Sequence, residues 1–336
     1  MSSHETVSVV IPCYNEERFI VKALEQLAGQ YEDGNYEIIV VDGMSEDETR
    51  VRINQFRENH PDVPVKIIDN PKRHIPTALN LGVMAASGEI IARMDAHAAP
   101  SRGYIQRCVE VLRQPGVGVV GMPCHIEPGA NTLLARAIAS GVSHKFGIGD
   151  ATYRLREGKS LQEEVDTVAF ACFRKSLWTK VNGFDETLLT NEDYDFNYRV
   201  RSGGDKVLLD RTGHCEYFAR TTLATLATQY SRYGRWKAQM VRRRPKSVKL
   251  RHLIAPLFVA SVLLLSLAGF FIRWAWWLLA IEIGLYLICS LIAGWSAARK
   301  VNQGLAMILL MPLVFGTIHI CWGGNFLLGL IVKKEV

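Results

Sequence analysis

The feature of this sequence that most directly suggests chemistry is an apolar run that ends in an aspartate and a histidine. Asp95 and His97 close the segment GEIIARMDAH, residues 88–97. Such a pair is either the polar turn after a strand or a pair of metal ligands delivered to the rim of a sheet. In the second case, a carboxylate oxygen and an imidazole nitrogen would hold Mn²⁺ or Mg²⁺, and the ion would neutralise a diphosphate leaving group.

Polar side chains follow two other apolar runs in the same manner. Residues 7–12 lead to Tyr14 and Glu16, and residues 36–42 end in Asp42. Helical segments separate the runs, and this alternation is typical of a mostly parallel α/β sheet covered on both faces. Because ligands of such sheets bind at the carboxyl ends of the strands, we expect the strand ends to share one site. There Tyr14 offers a ring face to a base, and Asp42 either caps a turn or accepts hydrogen bonds from a ribose or a base edge.

The C-terminal part of the chain is apolar and nearly uncharged. From His252 onward there are two acidic residues and five lysines or arginines. About 20 apolar residues are needed to span a bilayer, and the stretches long enough to do so are residues 252–272, 274–294 and 305–332. The sequence therefore predicts a soluble domain over residues 1–240, a basic juxtamembrane segment over 241–251 and a helical transmembrane domain over 252–336.

Positive charge is concentrated directly before the first apolar stretch. The net charge is +6, and nine lysines or arginines but no acidic residue lie between Gln229 and Arg251. This placement favours anionic lipid, and not nucleic acid, as the partner of these residues. The cysteines form no C-x-x-C pair and the N-terminus has no signal-peptide pattern, as expected for a domain that faces the cytosol.

The basic clusters also predict the path of the chain through the membrane. The run before residue 252 and the pair Arg299–Lys300 both belong on the cytosolic side. A full third crossing then leaves Lys333 and Lys334 outside the cytosol, whereas a segment that dips in and returns keeps every cluster inside. We expect three crossings, since the earlier segments usually dominate orientation. Glu282, in the second span, is either functional or turned towards its partner helices.

Two further segments are not expected to bind a ligand. GVGVVG, residues 116–121, matches the spacing of a dinucleotide fingerprint, but a helix precedes it and no helix start follows, so it predicts a strand of small residues. Residues 140–165 are polar, contain glycine and lack periodicity, which indicates a mobile loop.

Several segments together resemble the family 2 glycosyltransferases, inverting enzymes with the GT-A fold, which is a Rossmann-like fold that binds nucleotide sugars. They are, in chain order, VSVVIPCYNEE, IIVVDGMSEDET, LNLGVMAASGEIIARMDAH, VNGFDE and NEDYDFNYR. The resemblance covers residues 7 to 236. With the apolar stretches added, the chain is similar to the membrane-bound exopolysaccharide glycosyltransferases of the succinoglycan type.

The resemblance implies a role for each polar strand end. The residues that it assigns to the nucleotide sugar are Pro12, Tyr14, Glu16, Asp42 and Asp95. Asp95 and His97 stand where the family usually has Asp-x-Asp, so they remain the expected ligands of Mn²⁺ or Mg²⁺. Asp193 is the expected catalytic base, and Glu192 would orient that base or the acceptor. Asp42 is followed by Gly43, where the family often has a second aspartate, so one contact to the base is in doubt.

The segment QYSRYGRW, residues 229–236, partly resembles the Q-x-x-R-W motif of processive synthases. Gln229 and Arg232 fit the motif with Tyr233 in the Trp position, and Arg235 with Trp236 offers a shifted fit. These residues would contact the acceptor or the diphosphate. An amphipathic helix at the membrane surface explains the same pattern and is compatible with that role.

The expected reaction is metal-dependent, inverting transfer of a sugar from a nucleotide sugar, such as UDP-glucose, to a hydroxyl of a lipid-linked saccharide at a bacterial inner membrane. Within the same class, the acceptor is alternatively a polyprenyl phosphate. A processive synthase fits less well, because three spans are few for a polymer channel. From another class, a membrane-anchored nucleotide-sugar sensor would need no base at position 193. The sequence leaves the donor sugar, the linkage and the oligomeric state open.

Overall fold

The computed structural model describes residues 5–31, 36–156, 158 and 160–332. The chain forms two compact units, Met1–His125 with Arg156–Tyr217 and Ile126–Leu155 with Phe218–Val336. By this division residues 126–155 and 218–240 belong with the C-terminal helices. The boundary at residue 240 stays a prediction about which part of the chain folds on its own.

The elements alternate in the N-terminal part, and helices dominate the C-terminal part. The strands are β1 (Val7–Cys13), β2 (Tyr36–Asp42), β3 (Val65–Asp69), β4 (Ile90–Arg93), β5 (Ala99–Pro100), β6 (Val117–Gly121), β7 (Cys124–Glu127), β8 (Gln162–Glu164), β9 (Cys172–Arg174), β10 (Lys206–Asp210) and β11 (Cys215–Phe218). The helices are α1 (Ile20–Leu27), α2 (Thr49–Asn59), α3 (Ile75–Ala85), α4 (Tyr104–Leu112), α5 (Leu133–Gly141), α6 (Lys145–Ile148), α7 (Lys175–Lys180), α8 (Glu192–Ser202), α9 (Leu223–Arg243), α10 (Arg251–Gly269), α11 (Trp274–Lys300) and α12 (Leu305–Ile331).

The first unit is built on an eight-stranded sheet in the order β3-β2-β1-β4-β9-β6-β10-β8. The strands β3, β2, β1 and β4 run parallel, as do β6 and β10, while β9 and β8 are antiparallel to their neighbours. The apolar runs form these strands because they are covered on both faces, and β2 is buried from Glu37 to Asp42. This confirms the predicted mostly parallel sheet, and GVGVVG lies in β6 as a strand.

The loops at the carboxyl ends of the parallel strands are conformationally unusual. Asn15 after β1, Met44 after β2 and Arg73 after β3 all have a positive φ, at 54°, 59° and 57°. Non-glycine residues with positive φ are uncommon, and they cluster at active sites and ligand clamps. The loops also hold each other, since Asn15 N donates to Ser45 Oγ at 2.9 Å and Glu46 N donates to Asn15 Oδ1 at 2.9 Å. This edge of the sheet is therefore held in one defined shape.

The second unit contains the three long apolar helices predicted from the sequence. Within the described residues, α10, α11 and α12 are each long and apolar enough to cross a membrane. Their bounds differ from those predicted. Helix α10 ends at Gly269 and not at residue 272, and α11 continues to Lys300 and not only to residue 294. Residues 140–165 are not one loop, since they contain α6 and a 3₁₀ turn, Thr152–Arg154, as well as β8.

Glu282 contacts a partner helix. Ser261 Oγ on α10 donates a hydrogen bond to Glu282 Oε1 on α11. A polar contact of this kind joins neighbouring helices in lipid, where the alternative is an unpaired polar group. The Glu282 side chain therefore takes part in the contact between α10 and α11.

Candidate active site

The tips of β1 and β4 meet through a carboxylate and an imidazole. Glu16 Oε1 lies 2.9 Å from His97 Nδ1. A carboxylate in this position keeps the proton on Nδ1, so Nε2 carries the lone pair that a metal ion can use. The sequence assigned Glu16 to the nucleotide, whereas in the structure its partner is His97.

Arg93, the last residue of β4, joins two parts of the expected site. Its Nη2 atom lies 3.1 Å from Glu192 Oε1 and 3.6 Å from Asp95 Oδ1. The residue is 8% exposed, and within the described part of the chain its Nε and Nη1 atoms have no hydrogen-bond partner. A buried guanidinium is tolerated only beside negative charge, and here that charge comes from the strand tip and from the start of α8.

This contact changes the protonation of the buried groups. Burial raises the pKa of Glu192 to about 7, although the nearby Arg93 guanidinium opposes the shift and Asp193 adds to it. Burial by itself would lower the pKa of Arg93, but Asp95, Glu192 and Asp193 raise it above its ordinary value. Arg93 therefore stays charged, and Glu192 is partly protonated near neutral pH, so that it can either donate or accept a hydrogen bond.

Arg93→Met should destabilise the protein by about 3–5 kcal/mol, because removing one partner of a buried ion pair leaves the other charge uncompensated. The double variant Arg93→Met/Glu192→Gln should recover much of this loss, since it removes both charges. The measurement is thermal unfolding of the full chain in detergent. Equal unfolding midpoints for the single and double variants would show that the pair is not what the Arg93 substitution disturbs.

Asp193 lies in the first turn of α8, next to Glu192, and is less buried than Glu192. Its Oδ1 atom accepts a hydrogen bond from Tyr194 N at 2.7 Å. The turn begins after Asn191, which adopts a left-handed conformation with φ 68°. The structure therefore brings Glu192 to Arg93 at the tip of β4, and Asp193 directly follows Glu192.

Asp42 has the partners of a turn cap. It is fully buried, and its carboxylate accepts hydrogen bonds from Ser45 Oγ at 2.5 Å and Ser45 N at 3.1 Å. Arg50 Nη1 lies 3.2 Å from the same carboxylate. A base that contacts Asp42 therefore has to share these oxygens with Ser45 and Arg50.

Tyr14 is exposed at the tip of β1 and has a cationic neighbour that sequence analysis did not find. The Arg73 guanidinium lies 5.1 Å from the centre of the Tyr14 ring, and Arg73 Nη1 donates to the Tyr14 hydroxyl at 3.2 Å. Arg73 Nη2 also contacts Glu46 Oε1 at 2.7 Å. Pro12 lies within β1, where it pairs with Val41. The only sequence signal for Arg73 was its position shortly after the third strand.

In the second unit, α9 carries the segment QYSRYGRW. Gln229 Nε2 donates to the Tyr233 hydroxyl at 2.9 Å, and the Arg232 guanidinium lies 6.0 Å from the Tyr233 ring centre. Arg154 approaches the same ring at 5.9 Å. Trp236 is buried. Gln229, Arg154 and Arg232 thus all contact Tyr233, and the choice between the two fits stays a prediction.

Comparison with known proteins agrees with this geometry. The model of the family described as glycosyl transferase family 2 matches residues 8–179, which is more than half of the chain. The chain belongs to glycosyl transferase family 2. It is a glycosyltransferase, as the sequence predicted.

The names of two relatives of this glycosyltransferase refer to glycan synthesis. The chain is 26% identical to the succinoglycan biosynthesis protein ExoA of Rhizobium meliloti. The match covers 97% of this chain and 96% of that one. The chain is 28% identical to a dolichyl N-acetyl-α-D-glucosaminyl phosphate 3-β-D-2,3-diacetamido-2,3-dideoxy-β-D-glucuronosyltransferase of Methanococcus voltae, over 70% of this chain and 74% of that one.

A solved structure shares the whole fold of this glycosyltransferase. The mannosyltransferase PcManGT from Pyrobaculum calidifontis, in complex with GDP-Man and Mn²⁺, superposes with a TM-score of 0.63 at 20% identity. The match covers 99% of this chain and 89% of that one. It shows the GT-A fold followed by C-terminal helices.

The residues of this glycosyltransferase fit a divalent cation at the tip of β4. Asp95 offers a carboxylate, and His97 offers an imidazole oriented by Glu16. Among the residues that the structure describes, no cluster of three or more His, Cys, Asp or Glu side chains is placed to hold a metal. Magnesium sites at substrate phosphates commonly use one or two carboxylates, with phosphate oxygens and water as the other ligands.

Proposed function

We propose that this glycosyltransferase transfers a hexose, with inversion, from a UDP-hexose such as UDP-glucose to a hydroxyl of a lipid-linked saccharide in exopolysaccharide synthesis. The observation that carries the proposal is the ion pair of Arg93 with Glu192. It brings the start of α8, with Asp193, to the strand tip that holds Asp95 and His97. The reaction requires a site that binds the diphosphate leaving group and a base that accepts the proton of the acceptor hydroxyl.

In the proposed reaction, Asp193 accepts the proton of the acceptor hydroxyl while the hydroxyl oxygen attacks the anomeric carbon. The new glycosidic bond forms on the face opposite the diphosphate. The bond from the anomeric carbon to the diphosphate oxygen breaks, and the nucleoside diphosphate leaves with the electron pair. A divalent cation at Asp95 and His97 would neutralise charge on that diphosphate. Arg93 holds Glu192 in place to orient the base or the acceptor.

The nucleotide base is proposed to lie at the tips of β1 and β2. Tyr14 is 41% exposed and presents its ring there, with Pro12 and Asp42 as further contacts. Arg73 lies on Tyr14, and its charge suits the phosphates or the π-face of a base. The proposal adds Arg73 to the residues expected from the sequence.

The acceptor is proposed to be held by α9. Arg154 and Arg232 both lie near the Tyr233 ring, and guanidinium groups suit phosphate or sugar oxygens. Gln229 and Arg235 are further candidates, whereas the buried Trp236 contributes packing. The names of the two relatives, one in succinoglycan biosynthesis and one acting on a dolichyl-linked sugar, support a lipid-linked acceptor.

The catalytic unit is proposed to face the cytosol of a bacterium, with α10 and α11 in the inner membrane. Basic residues lie between Arg242 and Lys249, directly before α10, and they support this orientation.

The test is release of nucleoside diphosphate by the purified full chain in detergent, with Mn²⁺ or Mg²⁺ present. UDP-glucose, UDP-galactose and GDP-mannose would each be offered with a polyprenyl-diphosphate disaccharide, with polyprenyl phosphate, or without an acceptor. We expect turnover only with a UDP-hexose and the lipid-linked disaccharide.

Turnover with polyprenyl phosphate alone would move the assignment to a phosphate acceptor. Binding of a nucleotide sugar without turnover under any of these conditions would contradict an enzyme and favour a sensor. Turnover with GDP-mannose alone among the donors would contradict the proposed UDP-hexose.

A further inference from the structure

Helix α9 runs along the C-terminal half of α12 in direct backbone contact. A Cβ atom placed on Gly234 would lie 2.1 Å from the Trp322 carbonyl oxygen. Near the ends of the helices, Gln239 Nε2 donates to the carbonyl oxygens of Gly329 at 3.0 Å and Val332 at 3.1 Å. The contact that lies further along α9 also lies further along α12. The helices are therefore parallel, and their C-terminal ends lie side by side.

The composition of α9 limits how deep this pair of helices can lie in a membrane. Arg232, Arg242 and Arg243 on α9 are exposed. An arginine at the centre of a spanning helix costs roughly 2.5–3.5 kcal/mol on insertion scales. A helix with this exposed face belongs at the membrane surface or in water. Because the C-terminal half of α12 is in contact with α9, it lies at the same depth.

The other end of α12 is tied to the same side. It begins at Leu305, shortly after the basic pair Arg299–Lys300 that ends α11. In its second half, a Cβ atom on Gly323 would lie 2.6 Å from the carbonyl oxygen of Ala255, in the first turns of α10. Helix α10 itself starts directly after the basic run. Both ends of α12 thus lie near positively charged chain, which marks the cytosolic side.

We propose that α12 does not cross the bilayer but lies along its cytosolic leaflet, so that only α10 and α11 span. One face of α12 is covered by protein, including α6, in which the carbonyl oxygen of Phe146 lies 2.9 Å from His319 Nε2. The opposite face meets the acyl chains of the leaflet. Its side chains, each more than half exposed, are Leu305, Leu309, Leu313, Ile320 and Ile331.

This placement accounts for a conflict within the sequence. As a third crossing, α12 would carry Lys333 and Lys334, which lie outside the described residues, to the side that positive charge avoids. As a surface helix it ends on the cytosolic side, where the basic residues before α10 can contact anionic headgroups. The expected third crossing is therefore replaced by a helix whose partner is the lipid surface.

The test is labelling of single cysteines in membrane vesicles with a membrane-impermeant maleimide. Val301→Cys and Val332→Cys place a thiol at either end of α12, and Ile272→Cys places one in the turn between α10 and α11, each in a chain whose native cysteines are replaced. We expect positions 301 and 332 to be labelled from the same side and position 272 from the other. Labelling of position 332 together with position 272 would overturn the proposal.

A second measurement leaves the native cysteines in place and needs no labelling. Alkaline phosphatase fused after Val336 should be inactive, and green fluorescent protein fused there should fluoresce. A fusion of the phosphatase after Phe271 is the positive control for the outer side. An active phosphatase after Val336 would show that α12 crosses. Neither measurement depends on the proposed sugar transfer, so each can fail or succeed independently of it.

Discussion

Asp193→Asn is expected to lower the rate of sugar transfer by about 10²–10⁴-fold, the usual contribution of general acid–base catalysis. Asparagine keeps the shape of the side chain and its contact with Tyr194 N, but it cannot take the proton of the acceptor. The Arg93–Glu192 pair and the tips of β1 and β4 are unchanged by the substitution. The dissociation constant of the donor should therefore stay close to that of the wild type while the turnover rate falls.

The matched control is Asp62→Asn, the same chemical change at an exposed residue shortly before β3. That position is at the opposite edge of the sheet from the strand tips, so its turnover should equal that of the wild type. A phosphate acceptor needs little help from a base. If Asp193→Asn transfers sugar at nearly the wild-type rate, the assignment of the base is wrong and a phosphate acceptor becomes the better explanation.

Removal of divalent cations with EDTA is expected to abolish transfer, and addition of Mn²⁺ or Mg²⁺ is expected to restore it. Without the cation, nothing neutralises the charge of the departing diphosphate at Asp95 and His97. His97→Asp should remain active and prefer Mg²⁺ more strongly than the wild type does, because a carboxylate is a harder ligand than imidazole. Full activity in the chelator would remove both residues from a metal-binding role.

Because Glu16 contacts His97, a substitution of Glu16 tests the proposed metal site through a partial loss of metal affinity. Glu16→Gln removes the charge that orients the imidazole, and loss of such an outer contact costs 10–100-fold in metal affinity or activity in metalloenzymes. The concentration of Mn²⁺ needed for half-maximal rate should rise accordingly, whereas saturating Mn²⁺ should recover most of the rate. A loss of rate that Mn²⁺ does not recover would instead support the contact of Glu16 with the nucleotide that the sequence predicted.

Much of the catalytic unit could be predicted from apolar runs and their polar ends. The bounds of β2 are those expected, and β1 is one residue longer. β4 is shorter than the run that predicts it and ends at Arg93, although Met94 N still donates to Val10 O of β1. Helix α8 is observed over Glu192–Ser202 and contains most of the segment NEDYDFNYR, one of those that carry the family resemblance.

The sequence pattern is sufficient to predict that the polar residues of the expected site lie at one edge of a sheet. Parallel strands that are apolar along their length leave polar groups only at their ends, and the connections place the carboxyl ends together. The contacts of Arg93, in contrast, could not be predicted and are known only from the fold. A cation within an apolar strand carries no local pattern that names its partner, and the partner is Glu192 because α8 is brought to the tip of β4.

The same distinction holds for the membrane helices. Hydropathy measures how unfavourable it is to expose a helix to water, and by that measure α12 is as suited to lipid as α10 and α11. It does not report which faces of the helix are covered by protein. Helices α5, α6 and α9, as well as α10 and α11, pack on α12, and our proposal for the position of α12 rests on that packing and not on its composition.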